Sequence, residues 1–72
     1  MAMEIDVEKL KELRETRALS LRELANEAGV GHNTIYRIEH GQGNVLPRTV
    51  RRLAKALSVE PRELMKRSGS DA

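Results

Sequence analysis

The sequence predicts an all-α fold, and three of its features lead to that prediction. Hydrophobic residues make up 39% of the 72 residues, but Tyr36 is the single aromatic residue, so the core must be aliphatic, which suits packed helices. Apolar residues recur at the spacing of a helix face, and no segment alternates convincingly enough to be a strand. Capping residues, prolines and glycines divide the chain into five helical segments. A chain of this length forms one domain that buries about 60% of the surface of its unfolded state.

The first two helices are predicted from apolar spacing and from a capping motif. The first helix covers about residues 6–17, with Leu10 and Leu13 pointing inward. The second begins after Ser20, because Ser20 and Glu23 form the S-x-x-E pattern of a capping box ahead of an apolar run.

Glycines end the second and third helices. The second helix is expected to end near Ala28, because the following Gly29 freely adopts a positive φ. The third helix covers about residues 32–40 and is stopped by Gly41, which begins the loop sequence GQGN.

Prolines open the fourth and fifth helices, since proline is well suited to the first helical position. Pro47 opens a helix that runs to Leu57, and Pro61 opens a short helix that carries Leu64 and ends by Arg67. The fourth helix has an apolar stripe at i, i+3, i+4 and i+7, formed by Val50, Leu53, Ala54 and Leu57.

The domain is predicted over residues 6–67, with a flexible N-terminus over residues 1–5 and a disordered polar tail over residues 68–72. The absence of cysteine excludes disulfides and cysteine-based zinc sites, and permits an intracellular location. No apolar run approaches the roughly 20 residues of a membrane span. The pattern of a basic and then apolar signal peptide is also missing from the N-terminus.

Charge is distributed unevenly along the chain, although the net charge is only +2. Residues 1–28 carry seven acidic and five basic side chains, whereas residues 29–57 carry five basic side chains and one acidic one, Glu39. A local excess of cations, most of them arginine, favours partners that present phosphate groups.

Residues 21–38 form a unit whose pattern is that of two helices crossing at a steep angle. A small residue, Ala25, allows the helices to approach, Gly29 permits a compact turn, and Ile35 and Ile38 fill the angle between the helices. This is the helix-turn-helix arrangement, in which the second helix is available for the major groove of DNA.

The opposite face of the third helix carries polar side chains and no acid, within an arc of roughly 140°. Asn pairs with adenine and Arg with guanine, while His and Tyr donate or accept hydrogen bonds or touch a thymine methyl group. A face that is merely solvated is more often rich in Glu and Lys. The residues of this face are His32, Asn33, Tyr36, Arg37 and His40.

Five short motifs, in this order and spacing, resemble the Cro/repressor-type (XRE) helix-turn-helix domains of phages and bacteria. The resemblance covers about residues 7–65 and implies a compact five-helix, lambda-repressor-like domain. The motifs are LRE at Leu13, LS-x-x-ELA from Leu19, AGV at Ala28, TIYRIEHG ending at Gly41, and LAKAL from Leu53.

The resemblance implies a role for particular residues. The third helix would enter the major groove, with base contacts from His32, Asn33, Tyr36 and Arg37. The residues implied to contact phosphate are Gly31, Thr34, His40, Gln42, Asn44 and Arg48. In many members of the family the arginine matching Arg14 pairs with the glutamate matching Glu39, which implies a partly buried structural ion pair here. The remaining residues expected to be structural are Ser20, Ala25, Gly29, Ile35 and Ile38.

Three positions depart from the family pattern. Leu21 stands where many members have a glutamine that contacts phosphate, which puts that contact in doubt. Gly31 stands where a serine commonly caps the recognition helix, and glycine offers no side-chain oxygen. Ala18 stands where a glycine is usual, and it would cost roughly 1 kcal/mol if its backbone is left-handed.

The resemblance thus implies a sequence-specific regulator of transcription, acting as a repressor, that binds a palindromic operator in double-stranded DNA as a homodimer. Val59, Leu64 and Met65 are candidate dimer residues, although Leu64 suits the core equally well. We expect a cytoplasmic prokaryotic or phage-encoded protein that is not an enzyme, with no cofactor, metal, small-molecule substrate or membrane partner. The alternatives are an antitoxin, a helical module for protein interaction, or a DNA-binding fragment of a longer regulator.

Overall fold

The computed structural model describes residues 3–42 and 44–66, and within them five helices and two short strands. The all-α prediction is confirmed, and the fourth helix has the bounds that were predicted. The fifth helix ends at Leu64, within the predicted limit of Arg67, and the following Met65 has an extended backbone with φ −83° and ψ 141°. In chain order the elements are β1 Met3–Glu4, α1 Val7–Thr16, α2 Leu21–Ala28, α3 His32–Glu39, β2 Asn44–Val45, α4 Pro47–Leu57 and α5 Pro61–Leu64.

The strands β1 and β2 form an antiparallel pair that the sequence did not predict. Met3 lies opposite Val45, and Glu4 lies opposite Asn44. Each strand has only two residues, so no alternation of polar and apolar residues can develop along it.

Residues 3–6, most of which fall in the N-terminal segment predicted to be flexible, contact the end of the domain around residues 64–66. Ile5 is 1% exposed and forms an isolated bridge with Met65. The backbone N–H of Asp6 donates to the carbonyl of Leu64 at 2.7 Å, and that of Lys66 donates to the carbonyl of Glu4 at 3.0 Å. A lone isoleucine gives no periodic signal, so its burial follows from the tertiary structure. Residues 1–2 and the predicted tail at 68–72 lie outside the described residues.

One hydrophobic cluster forms the core, and all five described helices contribute to it. Leu64 is 0% exposed, so it belongs to the core and is not a surface available to a second subunit. Among the described residues, no polar or charged residue is fully buried, and no helix is long and apolar enough to cross a membrane. The buried residues are Ile5, Leu10, Leu24, Ala25, Ala28, Ile35, Ile38, Val50, Leu53, Ala54, Leu57 and Leu64.

The first four helices end in the same way. At each end a residue with positive φ donates its N–H to a carbonyl three residues back, and the next residue donates to one five residues back. This is the Schellman motif, which satisfies carbonyls that the helix leaves free. The residues with positive φ are Ala18 at 57°, Gly29 at 73°, Gly41 at 108° and Ser58 at 59°.

Candidate nucleic-acid interface

The helices α2 and α3 pack through the residues that the helix-turn-helix pattern predicts. Ala25 is 2% exposed, while Ile35 and Ile38 are 0% and 1% exposed. An added Cβ at Gly29 would meet no atom within 4 Å, so the positive φ, not space, favours glycine there. Arg52, from α4, also contacts this turn, because its Nη1 donates to the Gly29 carbonyl at 3.3 Å.

The ion pair between Arg14 and Glu39 holds the end of α3 against α1. Nε and Nη2 of Arg14 donate to the two carboxylate oxygens of Glu39 at 2.7 Å and 3.0 Å. Nη1 of Arg14 also donates to the Leu19 carbonyl at 2.7 Å. The side chains of Arg14 and Glu39 are 13% and 6% exposed, which confirms the partly buried pair. Hydrogen bonding to Glu39 raises the pKa of Arg14 above its ordinary value despite the opposing effect of burial.

The outer face of α3 carries exposed polar side chains, as its sequence pattern predicts. Glu39, the one acid of this helix, is turned inward onto Arg14. The face therefore offers hydrogen-bonding and cationic groups without an exposed carboxylate of its own helix. Its exposed residues are His32, Asn33, Tyr36, Arg37 and His40, whereas Thr34 is half-buried.

A shallow cleft lies between α3 and the segment that connects it to α4. Thr34 and Arg37 line it from α3, and Gln42 and Asn44 line it from the connecting segment. The backbone N–H of Gln42 donates to the Arg37 carbonyl at 3.0 Å, which holds the connecting segment against the helix. The fold thus brings together one residue of the outer face, Arg37, and three predicted phosphate contacts, Thr34, Gln42 and Asn44. The cleft is completed by Ile38, Val45, Leu46 and Thr49.

The N-termini of the helices fall into two groups. Asp6 caps α1 and Ser20 caps α2 through their side chains, and the Glu63 carboxylate accepts from the N–H of Glu60 at the start of α5. Within the described residues, α3 and α4 have neither a side-chain cap nor an acid in the first turn; they begin after Gly31 and Leu46. Their positive dipole ends are therefore not neutralised by side chains, and anions are favoured there.

Four further predicted contacts lie at the starts of these two helices. His32 and Asn33 are the first two residues of α3, and Gly31 immediately precedes them. Arg48 is the exposed second residue of α4. Leu21, in contrast, packs partly against the core. Leu21 therefore does not supply the phosphate contact that glutamine makes at this position in many members of the family.

His40, a predicted phosphate contact, makes two contacts with Tyr36. Its ring stacks on that of Tyr36, with centroids 3.9 Å apart and planes at 25°. Its Nδ1 lies 2.8 Å from the Tyr36 carbonyl oxygen. The spacing of Tyr36 and His40, four residues apart on a helix, is the signal from which this contact could have been predicted.

No group of three potential metal ligands occurs among residues 3–42 and 44–66. His32 and His40 lie at opposite ends of α3, eight positions apart. The packing of α2 against α3 through Ala25, Ile35 and Ile38, together with the exposed outer face of α3, defines a helix-turn-helix domain.

The comparison with known families agrees: residues 7–67 match the model of a helix-turn-helix domain, and the chain belongs to that family. It is 41% identical over 68 residues to the HTH-type transcriptional repressor RghR of Bacillus subtilis (strain 168). That match covers 93% of this chain but 50% of RghR, so the chain spans half the length of this relative.

Solved structures show the same fold. The restriction-modification controller protein C.AhdI from Aeromonas hydrophila matches with a TM-score of 0.77 and 39% identity, over 82% of this chain and 89% of that chain. A hydroxyethylphosphonate dioxygenase matches with a TM-score of 0.80 and 28% identity, over 97% of this chain. The latter match covers only 15% of the dioxygenase, so the similarity concerns a small part of that enzyme.

Proposed function

We propose that the protein binds double-stranded DNA with sequence specificity and regulates transcription, most simply as a repressor. The observation that carries this proposal is the outer face of α3, where Asn33 and Arg37 are exposed while Glu39 is withdrawn onto Arg14. A carboxylate on that face would repel a phosphate backbone, and its withdrawal leaves the helix able to approach one. RghR is described as a transcriptional repressor, which supports the same proposal.

Affinity would come from phosphate contacts around the cleft and at the two helix N-termini. Gly31 and Thr34 lie at the uncapped start of α3, and Arg48 lies at that of α4. Gln42 and Asn44 are exposed on the segment between the two helices. Such contacts fix the position of the protein on the duplex and make binding depend on salt, but they do not read sequence.

Specificity would come from base edges in the major groove. Arg37 suits a bidentate contact with guanine and Asn33 one with adenine, each contributing about 1–3 kcal/mol of discrimination. His32 and Tyr36 extend the same face. Tyr36 is 50% exposed, and a tyrosine hydroxyl both donates and accepts hydrogen bonds.

A single domain of this size makes few contacts, and we propose that a homodimer binds a palindromic operator. Its half-sites would be centred about 34–36 Å apart along the duplex. Val59 and Met65 are half-buried and stay candidates for the dimer contact. Leu64 does not, because the core buries it completely.

The proposal is tested by selecting bound duplexes from a random pool and measuring the affinities of variants. We expect inverted repeats to be enriched. Asn33→Ala and Arg37→Ala should each relax the preference at one or two base pairs per half-site. Arg48→Ala should weaken binding to all duplexes alike and reduce the salt slope by about 1. The matched control is Lys11→Ala, which removes an exposed cation from α1.

Two outcomes would contradict the proposal in different ways. If Asn33→Ala and Arg37→Ala retain the full sequence preference, base reading does not occur on this face of α3. If the unchanged protein retards no duplex at low salt, the proposed DNA binding is wrong, which is the outcome that a module for protein interaction predicts.

A further inference from the structure

Tyr36 and His40 contact each other on the outer face of α3. Their rings are stacked with centroids 3.9 Å apart. The His40 ring is also anchored to the backbone, because its Nδ1 lies 2.8 Å from the Tyr36 carbonyl oxygen. Exposed side chains normally exchange rotamers within nanoseconds, whereas this ring has a partner on its face.

The hydrogen bond to the carbonyl determines which nitrogen of His40 carries a proton. A carbonyl oxygen only accepts hydrogen bonds, so Nδ1 must be the donor. In the neutral ring, Nε2 then has a lone pair and no hydrogen. Phosphate oxygens are acceptors as well, so a neutral His40 in this arrangement has no N–H to offer a phosphate. The neutral form of His40 therefore does not favour the phosphate contact that the resemblance implies, whereas a protonated ring would keep the Nδ1 bond and offer its Nε2–H.

We infer that His40 is a positioning residue that holds the Tyr36 ring in one orientation for contact with a base. The inference rests on the proposed binding of DNA by α3. Tyr36 is half exposed, so without the stack its ring would have to be immobilised when the complex forms. Immobilising a side chain opposes association, and an orientation fixed in advance removes part of that cost.

The stack itself is measurable without DNA. Tyr36 is the single aromatic residue among Tyr, Trp and Phe in the chain, so near-ultraviolet circular dichroism and tyrosine fluorescence report on this ring alone. His40→Ala should reduce the near-ultraviolet signal while the far-ultraviolet helix signal stays unchanged. An unchanged near-ultraviolet signal in His40→Ala would overturn the inference.

The consequence for recognition is tested with three variants on a selected duplex. His40→Phe keeps a ring for stacking but has no N–H, while His40→Gln keeps an N–H near the Nε2 position but has no ring. We expect His40→Ala and His40→Gln to lose affinity about two- to tenfold and to relax one base-pair preference. His40→Phe should retain the affinity and the base-pair preference of the unchanged protein. The salt dependence of binding should have the same slope for all three variants.

A double-mutant cycle separates positioning from direct contact. In the Tyr36→Ala background, His40→Ala should have almost no further effect, because the ring that it positions is gone. Additive losses would overturn the inference. Retention of affinity by His40→Gln, together with loss in His40→Phe and a lower salt slope, would show a phosphate contact instead.

Failure of this inference is distinguishable from failure of the proposed function. If the unchanged protein binds no duplex, both fail, even if the near-ultraviolet signal shows the stack. If the protein binds DNA with full specificity and the His40 variants match it, only the positioning role is overturned.

Discussion

Removing Arg14 should destabilise the domain severely, because it breaks three hydrogen bonds at once. Arg14→Ala would leave the Glu39 carboxylate, which is 6% exposed, without the two donors that it has in the structure. It would also remove the donor to the Leu19 carbonyl. Breaking one partner of a buried pair typically costs about 3–5 kcal/mol, and the 13% exposure of the arginine places this pair near the lower limit.

A loss of about 3 kcal/mol is large for a domain of this size, whose free energy of unfolding is of order 4–10 kcal/mol. The midpoint of thermal unfolding should fall by about 12–24 °C. Urea and thermal unfolding followed by circular dichroism measure both quantities. The free energy of unfolding of Arg14→Lys should lie between those of Arg14→Ala and the unchanged protein, because an ammonium group keeps the charge but does not form the bidentate contact. Replacing both Arg14 and Glu39 by Met should recover much of the loss, since no unpaired charge is then buried.

The matched control is Arg17→Ala, which removes an exposed arginine just beyond the end of α1. We expect it to change the free energy of unfolding by less than about 0.5 kcal/mol. If Arg14→Ala costs as little as this control, the pair behaves as a screened surface pair, and the reasoning from burial is wrong. A double replacement that is no better than Arg14→Ala would show that the loss does not come from the unpaired charge of Glu39.

Three further predictions concern backbone conformation, capping and the core. Ala18→Gly should raise the free energy of unfolding by about 0.5–1 kcal/mol, because Ala18 has a φ of 57°; Ser58→Gly, at a φ of 59°, should act in the same direction. A fall in the thermal midpoint for either variant would contradict the reasoning from backbone strain. Gly31→Ser should raise the free energy of unfolding by a few tenths of a kcal/mol, because the serine hydroxyl caps α3 and the added Cβ meets only Thr34 Oγ1, at 3.9 Å. A lower free energy of unfolding in urea titration would show that the hydroxyl does not fit. Leu64→Ala should cost about 2–5 kcal/mol, because this side chain is 0% exposed. A loss below about 1 kcal/mol in calorimetry would show that α5 is not part of the cooperative core.

Local signals were sufficient for most helix boundaries. The capping box at Ser20 and the proline at Pro47 act through contacts within a few residues, and the structure places α2 and α4 where these signals predict them. The outer face of α3 followed in the same way, because the burial of Ile35 and Ile38 fixes which side points outward. That face was predicted from the sequence, whereas its reading of DNA stays a proposal.

Other features depend on segments that are distant in the chain. The pair of Arg14 and Glu39 was implied by family resemblance, and helical spacing alone would not have joined residues 25 positions apart. The burial of Ile5 likewise had no local signal, because its bridge partner, Met65, is distant in the chain.

The sequence alone therefore determined where the helices begin and which side of α3 faces outward, since those properties depend on neighbours within one or two turns. The tertiary structure alone decided that β1 joins β2 and that Leu64 is core and not a dimer contact. It also showed the ring of His40 lying against Tyr36. The physical reason is that burial and pairing depend on which surfaces meet after the helices have packed, and no short stretch of sequence contains that information.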